Sequence, residues 1–264
     1  MQRFSTIQPL LISSPKNILI VGASGAIGFA FYEQTRTLYP NSQILLFARN
    51  TEKLMAQLNQ SQFNTTPNAL TTVIELDLES PTQIEQACLK ITPKSQYDLV
   101  FIASGWLHDK QFSPEKTWQT LELESLHKAY QINAVGPILF LKTLFKTIDL
   151  NHPMVIGVLS ARVGSISDNR LGGWHSYRAS KAALNMLIKN LAIELTRKRK
   201  PICIVGLQPG TTDSALSKPF QRHIPADQLQ TATFTSQKLL TVLQTLTLDD
   251  SGKLFDFEGE RFEP

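Results

Sequence analysis

Short apolar runs alternate with helix-length amphipathic segments along this sequence, and no other feature constrains the fold as strongly. The apolar runs are residues 18–21, 44–47, 72–76, 99–103, 154–159 and 202–207. The amphipathic segments lie near residues 27–38, 51–60, 82–91, 121–148 and 177–196. This alternation predicts a parallel sheet with helices on both faces. Continuously apolar strands agree with that prediction, because parallel strands are buried on both sides.

The composition is that of one ordinary globular domain. Apolar residues make up 42% and charged residues 18% of the 264 positions, which is enough to fill a sizeable core. No linker rich in Pro, Gly or Ser divides the chain, and the sequence contains no internal repeat. We therefore predict a single doubly wound α/β domain over residues 16–264, preceded by an N-terminal extension of residues 1–15.

Charge and hydropathy argue against several classes of protein. The net charge is +4, and the basic run at residues 197–200 stands just before Pro201, where cations favour the end of a helix. Cys88 and Cys203 lack the spacing of a metal site, so we expect two buried, reduced thiols. Residues 7–12 form too short an apolar run for a signal peptide, and no stretch is long enough to span a bilayer. We expect a cytoplasmic protein without a nucleic-acid partner, a metal or a membrane span.

The first predicted strand ends in a glycine-rich turn, Gly22-Ala-Ser-Gly25-Ala-Ile-Gly28, that leads into a helix. Glycines at such a turn bring bare backbone amides close to a pyrophosphate, and the N-terminus of the helix adds partial positive charge. Gly22 permits the tight turn, and Gly28 lets the helix and the strand pack closely. A purely structural glycine turn is the alternative, but its place in the first strand–helix–strand unit favours dinucleotide binding.

Two residues that follow the second and third strands bear on the kind of dinucleotide. Arg49 stands where an acidic residue would bind the ribose hydroxyls of NAD, and its guanidinium suits the 2′-phosphate of NADP instead. A solvated arginine is the alternative. Asp77 is placed to hydrogen-bond the adenine, or else to cap the helix that begins near Pro81. We expect NADP(H) to be preferred, with NAD(H) possible.

The most regular helical segment contains Tyr177-Arg-Ala-Ser-Lys181. A spacing of four residues puts both side chains on one face of the helix, about one turn apart. An ammonium beside the phenol stabilises the phenolate, which lowers the pKa of the tyrosine and suits it to proton transfer. Alone, such a pair is compatible with chance. Together with the glycine turn and Arg49, it predicts an acid–base pair that acts beside a bound dinucleotide.

From residue 17 to about residue 258, the chain resembles the short-chain dehydrogenase/reductase family, and residues 160–185 resemble its subgroup around the C-factor signalling protein and carbonyl reductases. The resemblance implies a Rossmann-type domain with a parallel sheet of about seven strands. It also implies that Tyr177 exchanges a proton with a carbonyl or alcohol group, while Lys181 tunes its pKa and holds the nicotinamide ribose. Asn133 matches the helix asparagine that holds a water in the proton relay.

The resemblance extends to the turn after the sixth strand, Pro209-Gly210. There the amide of Thr212 would face the nicotinamide, and Ser214 would bond its carboxamide. The expected catalytic residues are Tyr177, Lys181, Asn133 and Ser160. The expected cofactor-binding residues are Gly22, Ser24, Gly25, Ala26, Ile27, Gly28, Arg49, Asp77, Leu78, Ala103, Ser104, Gly105, Tyr177, Lys181, Pro209, Gly210, Thr212 and Ser214.

Three departures from the family pattern concern the glycine turn, the fourth strand and the catalytic serine. The middle glycine, Gly25, stands one position earlier than usual, and residues 102–105 (Ile-Ala-Ser-Gly) replace the usual Asn-Asn-Ala-Gly. Ala161 aligns with the serine that orients the substrate. Ser160 is adjacent, but on an extended strand it faces the opposite side unless a bulge rotates it. Ser165 is a weaker candidate for the missing hydroxyl.

The leading hypothesis is an NADP(H)-dependent oxidoreductase that transfers a hydride between the nicotinamide and a small carbonyl or alcohol substrate. The residues at 106–108 and 174–175 are candidates for the pocket wall, with ordinary packing as the alternative, and segment 215–231 for a mobile lid. The second hypothesis, suggested by Ala161, is a cofactor-binding signalling or regulatory protein of the C-factor type with little or no turnover.

We also expect a homodimer or a homotetramer. The helical segments at residues 121–148 and 177–196 are long and apolar on more than one face, and in the family such helices pair across a two-fold axis. The candidates for their outward faces are Leu141, Leu144, Leu187 and Leu191.

Overall fold

The computed structural model describes residues 8–11, 14–63, 70–225 and 227–264. The strands among them are β1 (Asn17–Val21), β2 (Gln43–Ala48), β3 (Thr71–Glu75), β4 (Leu99–Ile102), β5 (Met154–Leu159), β6 (Ile202–Gln208), β7 (Thr211–Thr212), β8 (Leu229–Gln230), β9 (Leu254–Asp256) and β10 (Arg261–Phe262). Strands β7 and β8 form a separate two-stranded sheet. The predicted apolar runs coincide with β1 to β6, and burial explains those runs except at the edge strand β3, where only Ile74 is buried.

The main sheet has the order β10-β9-β6-β5-β4-β1-β2-β3. Within the described chain, the seven strands from β9 to β3 run parallel, and β10 pairs antiparallel with β9. The predicted doubly wound sheet of about seven parallel strands is confirmed, and an antiparallel edge strand is added to it. The strand order reverses at β1 and β4. In such sheets, ligands bind at this switch point, beyond the C-terminal ends of the strands.

The α-helices of the described residues are α1 (Ala26–Leu38), α2 (Thr51–Gln60), α3 (Pro81–Leu89), α4 (Leu123–Tyr130), α5 (Gly136–Thr147), α6 (His175–Arg197) and α7 (Ala232–Thr245). One face of the sheet packs against α3, α5 and α6, for example through Phe140 and Leu184. The other face packs against α1, α2 and α7, for example through Phe31 and Leu239. Helices therefore cover both faces, as predicted.

The prediction of one helical segment over residues 121–148 is wrong in one respect. The structure has α4, then a π turn (Gln131–Val135), then α5. Pro137 has no N–H to donate to the carbonyl of Asn133, so the α-helical ladder cannot continue through this point. The wider turn absorbs the break and carries Asn133 toward the C-terminal edge of the sheet, and π turns of this kind are frequent at functional sites.

The outward faces of these helices differ from the prediction. Leu141 and Leu144, expected on the outside, are fully buried in the core, because that side of α5 lies on the sheet. Leu187 and Leu191 are partly buried against the same core. The large apolar side chains that α4 and α6 do expose are Leu123, Tyr130, Met186 and Ile193.

The C-terminal part of the chain contributes α7, β9 and β10, which are not among the predicted elements. Polar residues are dispersed through α7, and its buried side chains include Thr235 and Ser236 beside leucines, so its apolar pattern is weak. The N–H of Leu10 donates to the carbonyl of Leu246 at 2.9 Å, which ties part of the predicted extension to the end of α7. Residues 1–7, 12 and 13 of that extension lie outside the described residues. In the described ranges, no helix is both long and apolar enough to cross a membrane.

Candidate active site

The turn between β1 and α1 is shaped by its glycines. Gly22 has a φ of +78°, which favours glycine, and a Cβ there would lie 3.0 Å from the backbone of Ala103 and Ser104. A Cβ on Gly28 would lie 2.3 Å from the carbonyl oxygen of Gly22. Gly25 precedes α1 without a side-chain cap, and the first turn of α1 has no acidic residue. The free N–H groups and the partial positive charge of this helix end suit an anion.

The end of β4 lies directly against this turn, in which Ser24, Ala26 and Ile27 are half-buried. The N–H of Ala103 donates to the carbonyl of Val21 at 2.8 Å. The buried Oγ of Ser104 has no hydrogen-bond partner among the described residues. A Cβ on Gly105 would lie 3.8 Å from Nζ of Lys181 and 3.9 Å from Oδ1 of Asn133. Strand β4 therefore links the glycine turn to the predicted catalytic residues.

The residues expected at the adenosine end lie at the ends of β2 and β3. Arg49 is largely exposed, and its Nη1 lies 3.2 Å from Oε2 of Glu79. The carboxylate of Asp77 accepts the N–H of Glu79 at 3.0 Å, and Leu78 is buried. The capping role considered for Asp77 belongs to Ser80, whose side chain caps α3.

Tyr177 and Lys181 lie on one face of α6, with Nζ of Lys181 5.8 Å from the centroid of the Tyr177 ring. Lys181 is buried, and Nζ donates to the carbonyl of Leu159 at the end of β5 at 2.9 Å. Gly164 permits this packing, because a Cβ there would lie 2.7 Å from Cβ of Lys181. The structure thus brings Tyr177, Lys181 and Gly105 together at the switch point.

Burial shifts both groups toward their neutral forms. Desolvation raises the pKa of Tyr177 to about 12, although part of the residue stays exposed, and it lowers the pKa of Lys181 to about 7. The spacing in the sequence predicted that the neighbouring ammonium would lower the pKa of Tyr177. The shift is upward instead, and its cause is the loss of water around the phenol. At neutral pH, Tyr177 is therefore a protonated phenol, the state that a proton donor requires.

The side chain of Asn133 is fully buried in the π turn. Its Oδ1 accepts the N–H of Trp106 at 2.7 Å, and its Nδ2 donates to the carbonyl of Trp106 at 2.8 Å and to Oγ of Ser180 at 2.9 Å. Ser180 in turn donates to the carbonyl of Tyr177 at 2.8 Å. Asn133 therefore ties the loop after β4 to the helix that carries Tyr177. Both hydrogens of its amide are engaged in these bonds, and the water that the family resemblance implies stays a prediction.

The structure does not bring Ser160 to Tyr177. The Oγ of Ser160 donates to Oδ1 of Asn185 at 2.6 Å, and Asn185 lies about two turns, or about 12 Å, farther along α6 than Tyr177. The strand stays extended here, so Ser160 faces α6 and the bulge considered above is not formed. Ala161 is half-buried and offers no hydroxyl. Ser165 is buried, and its hydroxyl accepts a backbone N–H of its own loop.

The turn after β6 follows the same edge of the sheet. In Pro209-Gly210, the glycine has a φ of +71°, and a Cβ there would lie 2.6 Å from a side-chain atom of β8. Thr212 is buried in β7, with its Oγ1 2.9 Å from Oγ1 of Thr235 on α7. The hydroxyls of Ser214 and Ser217 lie 3.3 Å apart. These contacts fix the start of the segment that was predicted as a lid.

An aromatic cluster lies beside Tyr177. The ring of Trp174 lies 6.2 Å from that of Tyr177 and 5.1 Å from that of Phe220, and Phe220 lies 5.5 Å from His108. The Nε2 of His108 donates to the carbonyl of Leu216 at 3.0 Å. Sequence reasoning did not single out Phe220, because nothing in its spacing marks it.

The other candidates for the pocket wall are placed differently. The indole of Trp106 donates to Oδ2 of Asp109 at 3.2 Å, and Nζ of Lys128 lies 5.5 Å from the centroid of the Trp106 ring. Leu107 is buried in the protein. The wall nearest to Tyr177 is therefore made by Trp174, with Phe220 behind it.

The chain is similar to several known proteins. The model of the short chain dehydrogenase family matches residues 16–225. The 1-hydroxy-2-glutathionyl-2-methyl-3-butene dehydrogenase of Rhodococcus sp. (strain AD45) is 27% identical over 195 residues, which cover 70% of this chain and 76% of that protein. C-signal of Myxococcus xanthus is 26% identical over 139 residues, which cover 53% of this chain and 78% of that protein.

Among solved structures, the fold is similar to that of the NADPH-bound carbonyl reductase from chicken fatty liver. The TM-score is 0.79 at 24% identity, over 94% of this chain and 99% of that chain. At this identity the likeness concerns the fold alone. The family match, in contrast, spans most of the chain and includes β1 to β6 and the Tyr177–Lys181 pair. The chain therefore belongs to the short chain dehydrogenase family.

Proposed function

We propose that the protein is an NADPH-dependent carbonyl reductase, which in reverse acts as an alcohol dehydrogenase. One observation carries the proposal: the uncapped glycine turn and the Tyr177–Lys181 pair both adjoin the segment after β4, the turn through Ala103 and Ser104 and the pair through Gly105. A Cβ on Gly105 would lie 3.8–3.9 Å from atoms of Lys181, Asn133 and Leu216, so this residue borders the proposed cofactor site. Family membership supports the reaction class, and the NADPH bound to the chicken reductase supports the cofactor.

The glycine turn fits the pyrophosphate of a dinucleotide. The amides of residues 26–28 open the first turn of α1, where backbone N–H groups and the helix dipole attract a phosphate. A Cβ on Gly22 or Gly28 would press against the backbone that shapes this turn. The partnerless hydroxyl of Ser104 adds one buried donor next to the turn. Asp77, Leu78, Pro209, Gly210, Thr212 and Ser214 remain the proposed contacts at the two ends of the cofactor.

Arg49 is the proposed contact for the 2′-phosphate of NADPH. Its present partner is Glu79, at 3.2 Å, and the guanidinium is mostly exposed. An exposed ion pair of this kind is worth only about 0–1 kcal/mol. Replacing the carboxylate by a phosphate therefore costs little and gains a doubly charged partner.

In the proposed reduction, Tyr177 gives its proton to the carbonyl oxygen of the substrate. A bound nicotinamide cofactor supplies the hydride that the carbonyl carbon receives. Because the pKa of Tyr177 is raised to about 12, the phenol holds its proton until negative charge develops on the substrate oxygen. Lys181, when protonated, stabilises the phenolate that remains. Its bond to the carbonyl of Leu159 keeps Nζ in reach of the ring.

Asn133 supports the reaction by holding other groups in place. Through Trp106 and Ser180, it connects the loop after β4 to Tyr177. Ala161 supplies no hydroxyl where the family has its orienting serine, and Ser160 is engaged with α6. We therefore assign the orientation of the carbonyl to Tyr177 and the pocket wall, and expect slower turnover than in members with that serine.

The proposed substrate is a small carbonyl compound with an apolar substituent. Trp174 and Phe220 present aromatic surface next to Tyr177. His108 holds the chain at Leu216 through its hydrogen bond. The segment 215–231 would then act as the lid over the substrate, and Phe220 would be the contact that it brings to the wall.

A turnover assay tests the proposal. Consumption of NADPH is measured with a panel of ketones, aldehydes and quinones, and the alcohol product is identified. Turnover with at least one member is expected. Binding of NADPH without turnover across the panel would favour the second candidate, a cofactor-binding signalling protein, for which Ala161 and the similarity to C-signal speak. Failure to bind either dinucleotide would contradict both.

We infer that the protein assembles as a homodimer or homotetramer through α4 and α6. Tyr130 and Met186 are 48% and 61% exposed, and apolar side chains of this size are commonly covered in an assembly. A second copy related by a two-fold axis would place the same face against itself. This replaces the interface expected around Leu141 and Leu144, which belong to the core.

A further inference from the structure

Glu115 is a buried carboxylate with hydrogen-bond donors on several sides. It is 4% exposed and lies in the loop between β4 and α4. Its side chain accepts bonds from Oγ of Ser125 at 3.1 Å, from N–H of Ser176 at 3.2 Å and from Oγ of Ser176. Among the described residues, no cation lies within ion-pair distance of it. A carboxylate buried in this way is stable only because these donors replace water.

The backbone of Glu115 holds the turn that precedes α6. Its carbonyl accepts the N–H of Trp174 at 2.5 Å. Gly172, Gly173 and Trp174 all have positive φ values, and a Cβ on Gly173 would lie 3.3 Å from the carbonyl oxygen of Glu115. A left-handed conformation is unusual for tryptophan. It persists here because the bond to Glu115 fixes the turn.

These contacts also cap α6 from a distant part of the chain. Trp174, the residue before the helix, makes no side-chain cap, so the first N–H groups need acceptors from elsewhere. Glu115 supplies one for Ser176, and its charge lies at the positive end of the helix dipole. The same donors lower the pKa of Glu115 despite its burial. The helix therefore begins where Glu115 holds it.

We propose that Glu115 is a positioning residue, which holds the first turn of α6 so that Tyr177 and Trp174 are set for catalysis. Tyr177 follows Ser176 directly in the sequence. The ring of Trp174 lies 6.2 Å from that of Tyr177, so both sides of the pocket depend on this turn. The expected effect of Glu115 on turnover rests on the proposed reductase function. Its expected effect on the structure of residues 172–176 rests on the geometry alone.

Two substitutions separate the loss of the hydrogen bonds of Glu115 from a general loss of folding. Glu115→Leu keeps much of the volume but leaves Ser176 without its acceptor. Glu115→Gln keeps one accepting oxygen for the N–H of Ser176, and both serine hydroxyls can rotate to accept from its amide. Glu124→Gln, on the exposed first turn of α4, is the matched control. We expect kcat to fall about 10- to 100-fold in the leucine variant and by less in the glutamine variant, with the control unchanged.

The affinity for NADPH separates positioning from general damage. The glycine turn and Arg49 lie away from Glu115 along the sheet, so the Kd for NADPH should stay within about threefold of wild type. Parallel losses in kcat, in NADPH affinity and in the melting temperature of both variants would overturn the proposal. So would an unchanged kcat in Glu115→Leu.

Hydrogen exchange gives a readout that does not depend on turnover. Amides of residues 174–178 should exchange faster in Glu115→Leu than in wild type, and to a smaller extent in Glu115→Gln, where only the charge is lost, while those of residues 184–195 on the same helix stay protected. Equal exchange at residues 174–178 would overturn the proposal. If the wild type reduces no carbonyl, the proposed function fails, and the exchange result alone decides the role of Glu115. If Glu115→Leu does not fold, Glu115→Gln carries the test.

Discussion

Lys181 occupies a position that is unfavourable for folding. The residue is 2% exposed, and its amine donates to the carbonyl of Leu159. Desolvation lowers the pKa of Lys181 from 10.5 to about 7. Burial of the amine therefore lowers the stability of the fold. Packing does not explain why a lysine stands here, whereas the proposed chemistry beside Tyr177 does.

Lys181→Met should make the protein more stable and inactive. Removing the buried amine relieves a penalty of several kcal/mol, while leaving the carbonyl of Leu159 unbonded costs about 1–3 kcal/mol. We expect a net gain of about 1–2 kcal/mol in the free energy of unfolding at pH 6. Between pH 7 and about 10 the unfolded chain binds more protons at Lys181 than the folded chain, so wild-type stability rises with pH. The advantage of methionine should shrink accordingly by pH 9.

Urea unfolding at pH 6 and pH 9 measures this difference, with Lys189→Met on the exposed side of α6 as the control. A Lys181→Met protein that is less stable than wild type at both values would contradict the account of Lys181.

Arg49→Ala should weaken NADPH binding and leave NADH binding nearly unchanged. The guanidinium is the group proposed for the 2′-phosphate, which NADH lacks. We expect the Kd for NADPH to rise at least about tenfold, which corresponds to about 1.4 kcal/mol. Fluorescence titration with both cofactors measures it, and Lys90→Ala, at the exposed end of α3, serves as the control. The assignment fails if Arg49→Ala keeps the wild-type ratio of the two constants.

At the scale of elements, the β1–α1 turn should tolerate an added methyl group in proportion to the space around it. A Cβ on Gly28 would lie 2.3 Å from the carbonyl oxygen of Gly22, and one on Gly25 would lie 3.2 Å from the same atom. Both neighbours are backbone, which cannot swing aside. Gly28→Ala should therefore reduce NADPH affinity more than tenfold, equivalent to about 1.4 kcal/mol, and Gly25→Ala distinctly less. Titration of the two variants side by side would refute this reading if Gly25→Ala bound more weakly.

The elements that sequence predicts best are those whose pattern comes from burial. Strands β1, β2, β4, β5 and β6 are largely apolar because both faces of the sheet are covered, so the sequence shows them directly, and the edge strand β3 keeps Val73 and Ile74. The π turn was missed because Pro137 breaks the helical hydrogen bonds without breaking the apolar periodicity. Helix α7 was missed because buried polar residues such as Thr235 make their hydrogen bonds inside the fold. The local sequence does not indicate that these polar residues are buried.

Within the site, too, features that depend on local sequence were predicted, and features that depend on distant contacts were not. Tyr177, Lys181 and the glycines follow from local spacing, and the structure brings them together. The contacts of Ser160, Phe220 and Glu115 depend on segments far apart in the chain. Ser160 illustrates the point, because only the packing of α6 shows that its hydroxyl is engaged by Asn185.

At the scale of the whole molecule, the exposed apolar face of α4 and α6 should control assembly. Ile193→Glu combined with Met186→Glu places charge on that face, where burial without a partner is costly. We expect light scattering to give the mass of a dimer or tetramer for the wild type and of a monomer for the double variant. Met55→Glu, exposed on α2, should leave the mass unchanged. A monomeric wild type at micromolar concentration would contradict the proposed assembly.

The central claim is that Tyr177 donates the proton in the reduction of a carbonyl group. Single-turnover oxidation of NADPH by Tyr177→Phe, with a substrate that the wild type reduces, tests it most directly. Loss of the hydroxyl should slow the chemical step by about two to four orders of magnitude, while the Kd for NADPH stays close to that of the wild type. A Tyr177→Phe protein that reduces the same substrate at the wild-type rate would contradict the mechanism.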